Sequence, residues 1–385
     1  MAERQLIPMR VTGIIAECNP FHEGHRYLIE TARQKTDADY MIVALSGDYV
    51  QRGAPAILSR EARARTLLTE GADLVLEIPL YCAASGADYF ARGSLALLQS
   101  TGVVTDLCFG SESGDLDPLL RAASAIGDET GEFKAALREG LRSGLTYPQA
   151  RSCAAGRCKL PDTPNDLLAA EYLRALSASG SSIRPHAVKR ISCRSASEIR
   201  RSMLSCRQPE DPLLCRDDLS DLLLHALFLA QTPEDLSRCL DVSGDLAGRI
   251  LHELPFYDSF SGFNSRLKTK NYTYTRISRA LLHIVLDMTC EDMMRFDERH
   301  GLCGWIRPIG FRRAAAPLLR RIASESAVPF LDKLARAGDV LSPDLSRLLM
   351  QEIRAEFLYD LLAAGRSGMP AGGVKPGPAK PLVII

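Results

Sequence analysis

Residues 13–28 read G-I-I-A-E-C-N-P-F-H-E-G-H-R-Y-L. A short apolar run, Val11 to Ala16, leads into a turn at Asn19-Pro20, and a helix-like segment follows from about Arg26. A strand, a turn and a helix N-terminus together form a phosphate site, because free backbone N–H groups and the helix dipole both attract an anion. This stretch therefore predicts an anion-binding loop at the start of an α/β unit.

Two histidines in this stretch, His22 and His25, supply further donors for phosphate oxygens. Gly24 precedes the second histidine and lets the backbone approach a ligand closely. The pattern His-x-Gly-His after a first strand resembles that of the HxGH nucleotidyltransferases, which attack the α-phosphate of a nucleotide. A pair of exposed loop histidines is the alternative, and the preceding strand and the Asn-Pro turn favour the phosphate site.

The composition is that of a globular chain of two or three domains, with 385 residues of which 46% are hydrophobic and 24% charged. Lysine plus arginine (47) equals aspartate plus glutamate (47), so any basic surface has to be local. No apolar run is long enough to span a bilayer, and the first ten residues lack the apolar core of a signal peptide. The eleven cysteines include no C-x-x-C pair. We expect a cytoplasmic protein with reduced thiols, no metal site of its own, and neither membrane nor DNA as a partner.

Residues 11–110 alternate between strand-like and helix-like runs. The strand candidates are Val11–Glu17, Tyr40–Leu45, Leu74–Glu77 and Asp106–Phe109, and the helix candidates are Arg26–Lys35, Ser59–Glu70 with Ser59 as N-cap, and Asp88–Ser100. This alternation predicts a Rossmann-like α/β domain with a parallel sheet buried on both faces.

Three polar loops follow strands of this predicted sheet: Cys18–His25, Ser46–Gly53 and Gly110–Gly114. In an open parallel sheet, ligands bind beyond the carboxyl ends of the strands. We therefore expect the three loops to face one cleft.

The segment from Leu116 to Ser179 has a helical pattern, with breaks at Gly144–Pro148 and Pro161–Asn165. A short strand, Ser182–Val188, then leads into a basic segment. Residues 184–207 hold seven Lys/Arg against one acid, Glu198, and include a helix that Ser195 or Ser197 caps. A basic run of this kind is either a solvated helix face or, at the end of an α/β unit, a second contact for phosphate.

The character of the chain changes after about Cys206, where Asp211–Leu240 and Thr273–Met288 are helical and no βαβ unit is evident. We divide the chain into a nucleotide-binding domain, residues 1–205, and a mainly helical domain, residues 206–385. From about residue 366 a Gly/Pro-rich tail is expected to be flexible and to end in a short strand, Leu382–Ile385.

Two stretches of the helical domain are basic and contain no acid: 268–279 and 307–321. Cations interleaved with aromatic rings suit RNA, because phosphates are neutralised while unstacked bases lie on the rings. A generic surface explains either stretch alone, and both in one domain favour an RNA-facing surface. Its candidate residues are Lys268, Lys270, Tyr272, Tyr274, Arg276, Arg279, Arg312 and Arg313.

Several long stretches resemble the bacterial tRNA(Met) cytidine acetate ligases. They run in family order between residue 13 and about residue 310 and include A-E-C-N-P-F-H-E-G-H, S-G-D-Y-V-Q-R-G-A-P-A-I, C-F-G-S-E, P-N-D-L-L-A-A-E-Y-L, S-A-S-E-I-R and Y-T-Y-T-R-I-S-R-A-L-L-H-I. The resemblance implies an enzyme that uses ATP to activate acetate as acetyl-adenylate. It then acetylates N4 of the wobble cytidine of elongator methionine tRNA.

The resemblance also implies an ATP site. Its first loop would consist of Ile15, Ala16, Glu17, Cys18, Asn19, Pro20, Phe21, His22, Glu23, Gly24, His25, Arg26, Tyr27 and Leu28. Further ATP contacts map to Gly110, Asn165, Arg190, Ser195 and Ser197. His22, His25 and Arg200 are the expected catalytic residues, since they would stabilise charge on the leaving pyrophosphate. Magnesium is expected with ATP, and Asp48 and Glu112 are either near it or simply loop residues.

The chain departs from the family pattern at two places. Cys18 stands where an aromatic residue is expected, and the connection from Arg190 to Ser195 is short and lacks a Tyr-His pair. The short connection leaves open nucleotide or RNA binding without catalysis. Adenylylation of a small-molecule acceptor also stays open, because cofactor-synthesis nucleotidyltransferases have a similar N-terminal unit.

Overall fold

The computed structural model describes residues 9–127, 135–136, 139–140, 143, 163–206, 211–270, 272–370, 374 and 380–385. Its strands are β1 (Val11–Ala16), β2 (Tyr40–Ser46), β3 (Tyr49–Val50), β4 (Ala54–Pro55), β5 (Leu74–Ile78), β6 (Asp106–Ser111), β7 (Arg184–Lys189), β8 (Pro308–Phe311) and β9 (Val383–Ile384). Strands β3 and β4 form a small hairpin, and the others form one seven-stranded sheet in the order β7-β6-β1-β2-β5-β8-β9.

Five neighbouring strands of this sheet, β7, β6, β1, β2 and β5, are parallel, whereas β8 runs antiparallel to β5. From β1 the chain builds the sheet outward in one direction through β2 and β5, and in the other through β6 and β7. The topological switch point therefore lies between β1 and β6, and a crevice opens there at the carboxyl ends of the strands. The mostly parallel α/β sheet confirms the predicted Rossmann-like fold class.

Helices cover both faces of the sheet. The described α-helices before residue 206 are α1 (Glu23–Thr36), α2 (Arg60–Thr69), α3 (Leu80–Ala83), α4 (Ala87–Ser100), α5 (Leu116–Gly127), α6 (Pro164–Ala178) and α7 (Ala196–Leu204). Successive residues of β2 enter different cores: Ile42 lies in the same core as Leu95 of α4, and Val43 lies in the same core as Ile29 of α1. The strands are apolar on both sides because both faces are covered in this way.

The C-terminal region is mainly helical, as predicted. Its α-helices are α8 (Ser220–Leu229), α9 (Pro233–Ser237), α10 (Gly244–Glu253), α11 (Phe260–Leu267), α12 (Tyr274–Val285), α13 (Cys290–His300), α14 (Ala316–Glu325), α15 (Ala337–Val340) and α16 (Pro343–Arg366). Four short 3-10 segments join them, at Arg216–Leu219, Leu254–Phe256, Arg313–Ala315 and Leu334–Arg336.

This region also adds β8 and β9 to the edge of the main sheet. Sequence periodicity gave no sign of β8, which has four residues, whereas β9 lies within the predicted terminal strand. The division of the chain at residue 206 stays a prediction, and the two parts share one sheet.

A buried ion cluster joins α16 to the sheet. It consists of Arg60, Glu77, Arg307, Glu352 and Glu356, whose side chains are each at most 10% exposed. Arg60 donates to both oxygens of Glu77, at 2.7 and 2.8 Å, and to Oε2 of Glu356 at 2.7 Å. Arg307 contacts Glu352 at 3.3 Å and donates to Oε2 of Glu356 at 3.1 Å. Two guanidinium groups therefore serve three carboxyl groups inside the protein.

Most element predictions agree with the structure, and one needs correction. Helix α1 begins at Glu23, three residues before the predicted start, because His22 serves as its N-cap. Ser59 caps α2 as predicted, accepting a hydrogen bond from the backbone N–H of Ala62 at 3.2 Å. The predicted break at Gly144–Pro148 lies outside the described residues. Of the predicted break at Pro161–Asn165, residues 161–162 also lie outside them, whereas Thr163 is the N-cap of α6 and Pro164 and Asn165 begin that helix. Among the described residues, no helix has both the length and the apolar character that crossing a bilayer requires.

Candidate active site

A cleft opens at the carboxyl ends of β1 and β6, where the topology places it. Its walls come from the loop after β1, from Gln51 and Arg52, from Gly110, from the start of α6 and from residues 188–200. The three predicted loops therefore contribute to one cleft. The residues of the first loop that line it are Ile15, Ala16, Glu17, Cys18, Asn19, His22, Gly24, His25, Tyr27 and Leu28.

Six further residues predicted from the resemblance also line the cleft, namely Gly110, Asn165, Arg190, Ser195, Ser197 and Arg200. Four residues of the predicted ATP loop do not line it: Pro20, Phe21, Glu23 and Arg26. Arg26 instead points to α2, where it donates to Glu70 at 2.6 and 2.8 Å.

The two histidines are held by reciprocal hydrogen bonds at the start of α1. Nδ1 of His22 accepts from the backbone N–H of Gly24 at 3.1 Å, and Nδ1 of His25 accepts from the backbone N–H of His22 at 3.2 Å. The two ring centroids are 3.9 Å apart. Because each Nδ1 is an acceptor, each ring carries its proton on Nε2. Both histidines therefore keep an Nε2–H donor that the helix cap does not use.

The surroundings of the two rings favour their neutral form. Burial and the nearby charge of Arg190 lower the pKa of His22. Burial, with the charges of His22 and Arg190, lowers the pKa of His25 to about 3. A neutral imidazole still donates from Nε2–H, so an anion finds hydrogen-bond donors at the positive end of the helix dipole.

Gly24 is required by the packing of the histidines. A Cβ at this position would lie 2.9 Å from Cε1 of His22 and 3.3 Å from Sγ of Cys193. The loop also contains Cys18, which is 1% exposed and adopts a positive φ of 46°. Burial raises the pKa of the Cys18 thiol to about 12, so this residue is an inert part of the wall.

The N-terminus of α6 forms the opposite wall. Asn165 donates to Glu112 Oε1 at 2.5 Å, and Glu112 Oε2 accepts from Thr163 and from the backbone N–H of Asp166, each at 3.1 Å. Glu112 thus fixes the start of α6, and Arg190 approaches the same carboxylate at 3.9 Å. Its oxygens are occupied by protein donors, and it does not line the cleft.

Helix α7 brings a third helix N-terminus to the cleft. Ser195 caps it through a capping box: its Oγ accepts from the Glu198 backbone at 3.2 Å, and the Glu198 carboxylate accepts from the Ser195 backbone at 2.7 Å. Ser195 is therefore the N-cap, whereas Ser197 accepts from Arg200 at 3.0 Å. Arg200 also donates to the backbone carbonyl of Asn19, so α7 is tied to the first loop.

Arg52 and Arg216 lie with Arg200 at the rim, and neither of these two was singled out from the sequence. Burial lowers the pKa of Arg200, and the positive charges of Arg52 and Arg216 lower it further. Burial and the positive charge of Arg52 also lower the pKa of Arg216. Arginines that repel one another in this way favour an anionic partner between them. Arg52 lies in a loop predicted to face the cleft, whereas Arg216 comes from a distant segment that no local pattern marks.

Helix α12 continues this basic surface away from the cleft. Arg216 donates to Oγ of Ser278 at 2.9 Å and lies 5.4 Å from the ring centroid of Tyr274. Arg276 lies 5.0 Å from the ring centroid of Tyr272. Lys268 and Lys270 are exposed nearby in sequence. The start of α12 therefore contacts Arg216 at the rim, and the other cations of the first predicted RNA-binding stretch lie close to it in sequence.

Two arginine side chains of the predicted RNA surface are engaged within the protein. Arg279 forms an ion pair with Asp241 at 3.0 Å. The backbone of Arg279 packs against Gly53, because a Cβ added at Gly53 would lie 2.3 Å from the Arg279 backbone nitrogen. Arg312 donates to the carbonyls of Leu68 and Thr69, at 2.8 and 3.3 Å.

The structure does not bring the two predicted RNA-binding stretches together. Phe311 pairs with Leu74, the first residue of β5, so Arg312 and Arg313 lie at the amino edge of the parallel strands. The cleft lies at the opposite, carboxyl edge. A common RNA-facing surface is therefore expected to involve the first stretch rather than both.

Asp48, the other residue considered near magnesium, lies outside the cleft. It is 3% exposed, accepts from the backbone N–H of Arg60 at 2.8 Å and lies 3.6 Å from Nζ of Lys380. Among the described residues, the group with enough clustered carboxylates for a metal ion is Glu77, Glu352 and Glu356. These residues belong to the buried ion cluster and are already bound by arginine.

Comparison with known proteins assigns this arrangement to a family. The family model described as HIGH Nucleotidyl Transferase matches residues 9–369. The tRNA(Met) cytidine acetate ligase of Acetivibrio thermocellus is 33% identical over 397 aligned residues, covering 91% of this chain and 94% of the relative. The enzyme of the same name from Clostridium kluyveri is 34% identical, with coverage of 88% and 93%.

A solved structure is also similar over nearly the whole chain. It is that of Thermotoga maritima TmcAL bound with alpha-thio ATP, which has a TM-score of 0.88 and 27% identity, covering 98% of this chain and all of that one. The apo form of the same protein gives a TM-score of 0.86.

Proposed function

We propose that this chain, which belongs to the HIGH nucleotidyl transferase family, is an ATP-dependent ligase that acetylates N4 of the wobble cytidine of elongator methionine tRNA. The names of the similar proteins and the nucleotide bound to the T. maritima structure support this reaction. They do not favour adenylylation of a small-molecule acceptor. Because its substrate is tRNA, we place the protein in the cytoplasm.

One observation carries the proposal: His22 and His25 present two Nε2–H donors at the start of α1, in the same cleft as the N-termini of α6 and α7. Backbone donors at helix N-termini and neutral imidazole N–H groups bind a triphosphate without needing a preformed countercharge. ATP therefore occupies this cleft, with its phosphates against the histidines, Arg190 and Arg200.

In the first step, a carboxylate oxygen of acetate attacks the α-phosphorus and the bond to the β-phosphate bridging oxygen breaks. Pyrophosphate leaves with the electron pair of that bond, and acetyl-adenylate remains. The protein contributes placement and charge stabilisation: His22, His25 and Arg200 donate to the oxygens that become more negative.

Magnesium fits this cleft only as a partner of the nucleotide. Glu17 is the single carboxylate among the described residues that line it, and Mg²⁺ commonly binds through substrate phosphates while it keeps several waters. When bound, the ion would supply charge neutralisation on the phosphates.

In the second step, the cytidine N4 amine attacks the acyl carbon of acetyl-adenylate. The anticodon arm has to reach the rim of the cleft for this. We assign its binding to Arg52 and Arg216 at the rim, Arg276 on α12, and the exposed Lys268 and Lys270 that precede α12, because Arg216 packs against Tyr274 at the start of that helix. Tyr272 and Tyr274 lie among them and offer rings for unstacked bases.

The test is to incubate the protein with ATP, labelled acetate and total tRNA, and to follow the label. We expect label on methionine tRNA and acetate-dependent exchange between ATP and pyrophosphate. Label on a small product would support the adenylylation of another acceptor, and the absence of both exchange and label would support binding without catalysis. Either result would contradict the proposed function.

A further inference from the structure

The residue that bears on the second step is Glu17, which directly follows β1 and lines the cleft. Its Oε1 accepts from the backbone N–H of Gln51 at 2.7 Å, and its backbone carbonyl accepts from Arg63 at 2.8 Å. The main sheet and the β3–β4 hairpin thus fix this carboxyl group. Among the hydrogen bonds of the described residues, Oε2 of Glu17 takes part in none.

A carboxylate in this position is a poor ligand for ATP phosphates, because two anions in a partly buried cleft repel each other. The phosphate donors His22 and His25 lie further along the same loop, at the start of α1. Glu17 is therefore better suited to the acceptor than to the triphosphate.

The other walls suit the acyl acceptor reaction. Phe90, Phe109 and Tyr172 line the same cleft, and Phe109 and Tyr172 have ring centroids 5.9 Å apart. Aromatic walls accommodate an acetyl methyl group and a flat base while they exclude water. Burial raises the pKa of the Tyr172 hydroxyl, and the charge of the nearby Glu17 carboxylate raises it further.

The electrostatic setting keeps Glu17 available as a proton acceptor. Burial raises its pKa, while its hydrogen bond from Gln51 and three arginines act in the opposite direction. The titratable and charged groups that face it are Arg52, Arg63, Arg200, Tyr172 and Cys18. A carboxylate whose pKa is raised is a stronger base once it is ionised.

We propose that Glu17 is the general base of acetyl transfer, taking the proton from the attacking amine on its free oxygen, Oε2. This inference rests on the proposed function. The amine nitrogen forms a bond to the acyl carbon, and the bond between that carbon and the phosphate oxygen breaks. AMP leaves with the electron pair, the amine proton passes to Glu17, and water later removes it from the carboxyl group.

The experiment separates the two steps in Glu17→Gln. The amide oxygen of glutamine can still accept from Gln51, so the fold and the nucleotide site are preserved. We expect acetate-dependent ATP–pyrophosphate exchange to stay within about 3-fold of the wild type. Single-turnover transfer from acetyl-adenylate to methionine tRNA should slow by about 100- to 10,000-fold, the usual contribution of a general base. The matched control is Glu30→Gln, an exposed carboxylate on α1, which should change neither step.

The pH profile supplies a second readout. The wild-type transfer rate should rise with pH as Glu17 ionises and then level off, and Glu17→Gln should lose this rise. Glu17→Asp, which keeps the charge on a shorter side chain, should retain the rise at a lower rate. It also serves as the test if Glu17→Gln unfolds.

Two outcomes would overturn the inference while the proposed function stands. If Glu17→Gln lost ATP–pyrophosphate exchange as well as acetyl transfer, Glu17 would be assigned to ATP or magnesium binding. If a folded Glu17→Gln kept the wild-type rate of acetyl transfer, Glu17 would not be the general base. A wild type that exchanges pyrophosphate but never labels methionine tRNA would instead overturn the proposed function, and this inference with it.

Discussion

The cleft and the buried ion cluster both combine arginines with carboxyl groups, and they differ in whether each charge has a partner. In the cluster, Arg60 and Arg307 contact Glu77, Glu352 and Glu356 directly, and these side chains are at most 10% exposed. At the cleft, Arg52, Arg200 and Arg216 repel one another, and the pKa values of Arg200 and Arg216 are lowered by burial and by this repulsion.

This difference separates stability from binding. Removing one partner of a buried ion pair destabilises the fold, because the other charge stays buried and uncompensated. A site with unmatched positive charge gains its partner from outside, so its residues should matter more for affinity than for folding. The predictions below test this separation.

The largest effect on stability is expected from Arg307→Met. It removes the guanidinium that contacts Glu352 and Glu356 and leaves excess negative charge inside the protein. The free energy of unfolding should fall by about 3–5 kcal/mol, measured by urea denaturation. The control is Arg320→Met on the exposed surface of α14, which should change it by less than about 0.5 kcal/mol. Equal losses in both variants would mean that the cluster is not a special source of stability.

The largest effect on activity is expected from His25→Ala, which removes one Nε2–H donor from the cleft. Acetate-dependent ATP–pyrophosphate exchange should fall by about 100- to 1,000-fold, the usual cost of losing a donor to developing negative charge. The unfolding free energy should change by less than about 1 kcal/mol, because the loss is confined to one cap interaction. His252→Ala is the control, since that side chain is 80% exposed on α10. Undiminished exchange in His25→Ala would refute the assigned role.

A smaller effect is expected on tRNA affinity. Replacing Lys268, Lys270 and Arg276 with alanine should weaken tRNA binding and reduce the slope of log K against log salt by about 1 per lost phosphate contact. Arg313→Ala, at the opposite edge of the sheet, should leave both quantities unchanged. If Arg313→Ala weakened tRNA binding and the triple alanine variant did not, the RNA surface would lie at the amino edge of the parallel strands.

A further effect concerns the pH dependence of stability, which the buried ion cluster should influence. Burial, with the charge of Glu77, raises the pKa of Glu352 to about 8 from an ordinary value of 4.5. The folded protein therefore keeps a proton that the unfolded chain releases above pH 4.5. The contribution of Glu352 to stability is full below pH 4.5 and is lost as the pH rises towards 8. Glu352→Gln should flatten this decline in unfolding free energy between pH 5 and 8, and an unchanged slope would show that Glu352 is ionised in the folded state.

The sequence predicted the parts of the molecule that depend on neighbouring residues. The alternation of apolar runs gave the parallel sheet, and the loops after β1, β2 and β6 meet at one cleft because parallel strands end at the same edge. The His-x-Gly-His motif located the cleft. Local pattern did not give the helix start at Glu23, since a histidine is an unusual N-cap.

Features that depend on distant residues could not be predicted in this way. Arg216 joins the rim of the cleft from a segment outside the α/β alternation, and Arg307 meets Arg60 only in the folded chain. The two basic stretches looked alike in sequence, but pairing of β8 with β5 places Arg312 and Arg313 at the edge opposite the cleft. Charge alone could not distinguish them, because their location follows from strand direction.

The position of β9 determines when the sheet can be completed during synthesis. Val383 pairs with Gly310, and β8 in turn pairs with β5, so the last two strands of the sheet come from the final fifth of the chain. During synthesis, the α/β core has its first five strands long before residue 383 leaves the ribosome. Until then, the outer edge of β5 or β8 is an unpaired strand. The nascent protein therefore passes through a period in which a chaperone or another chain can occupy that edge.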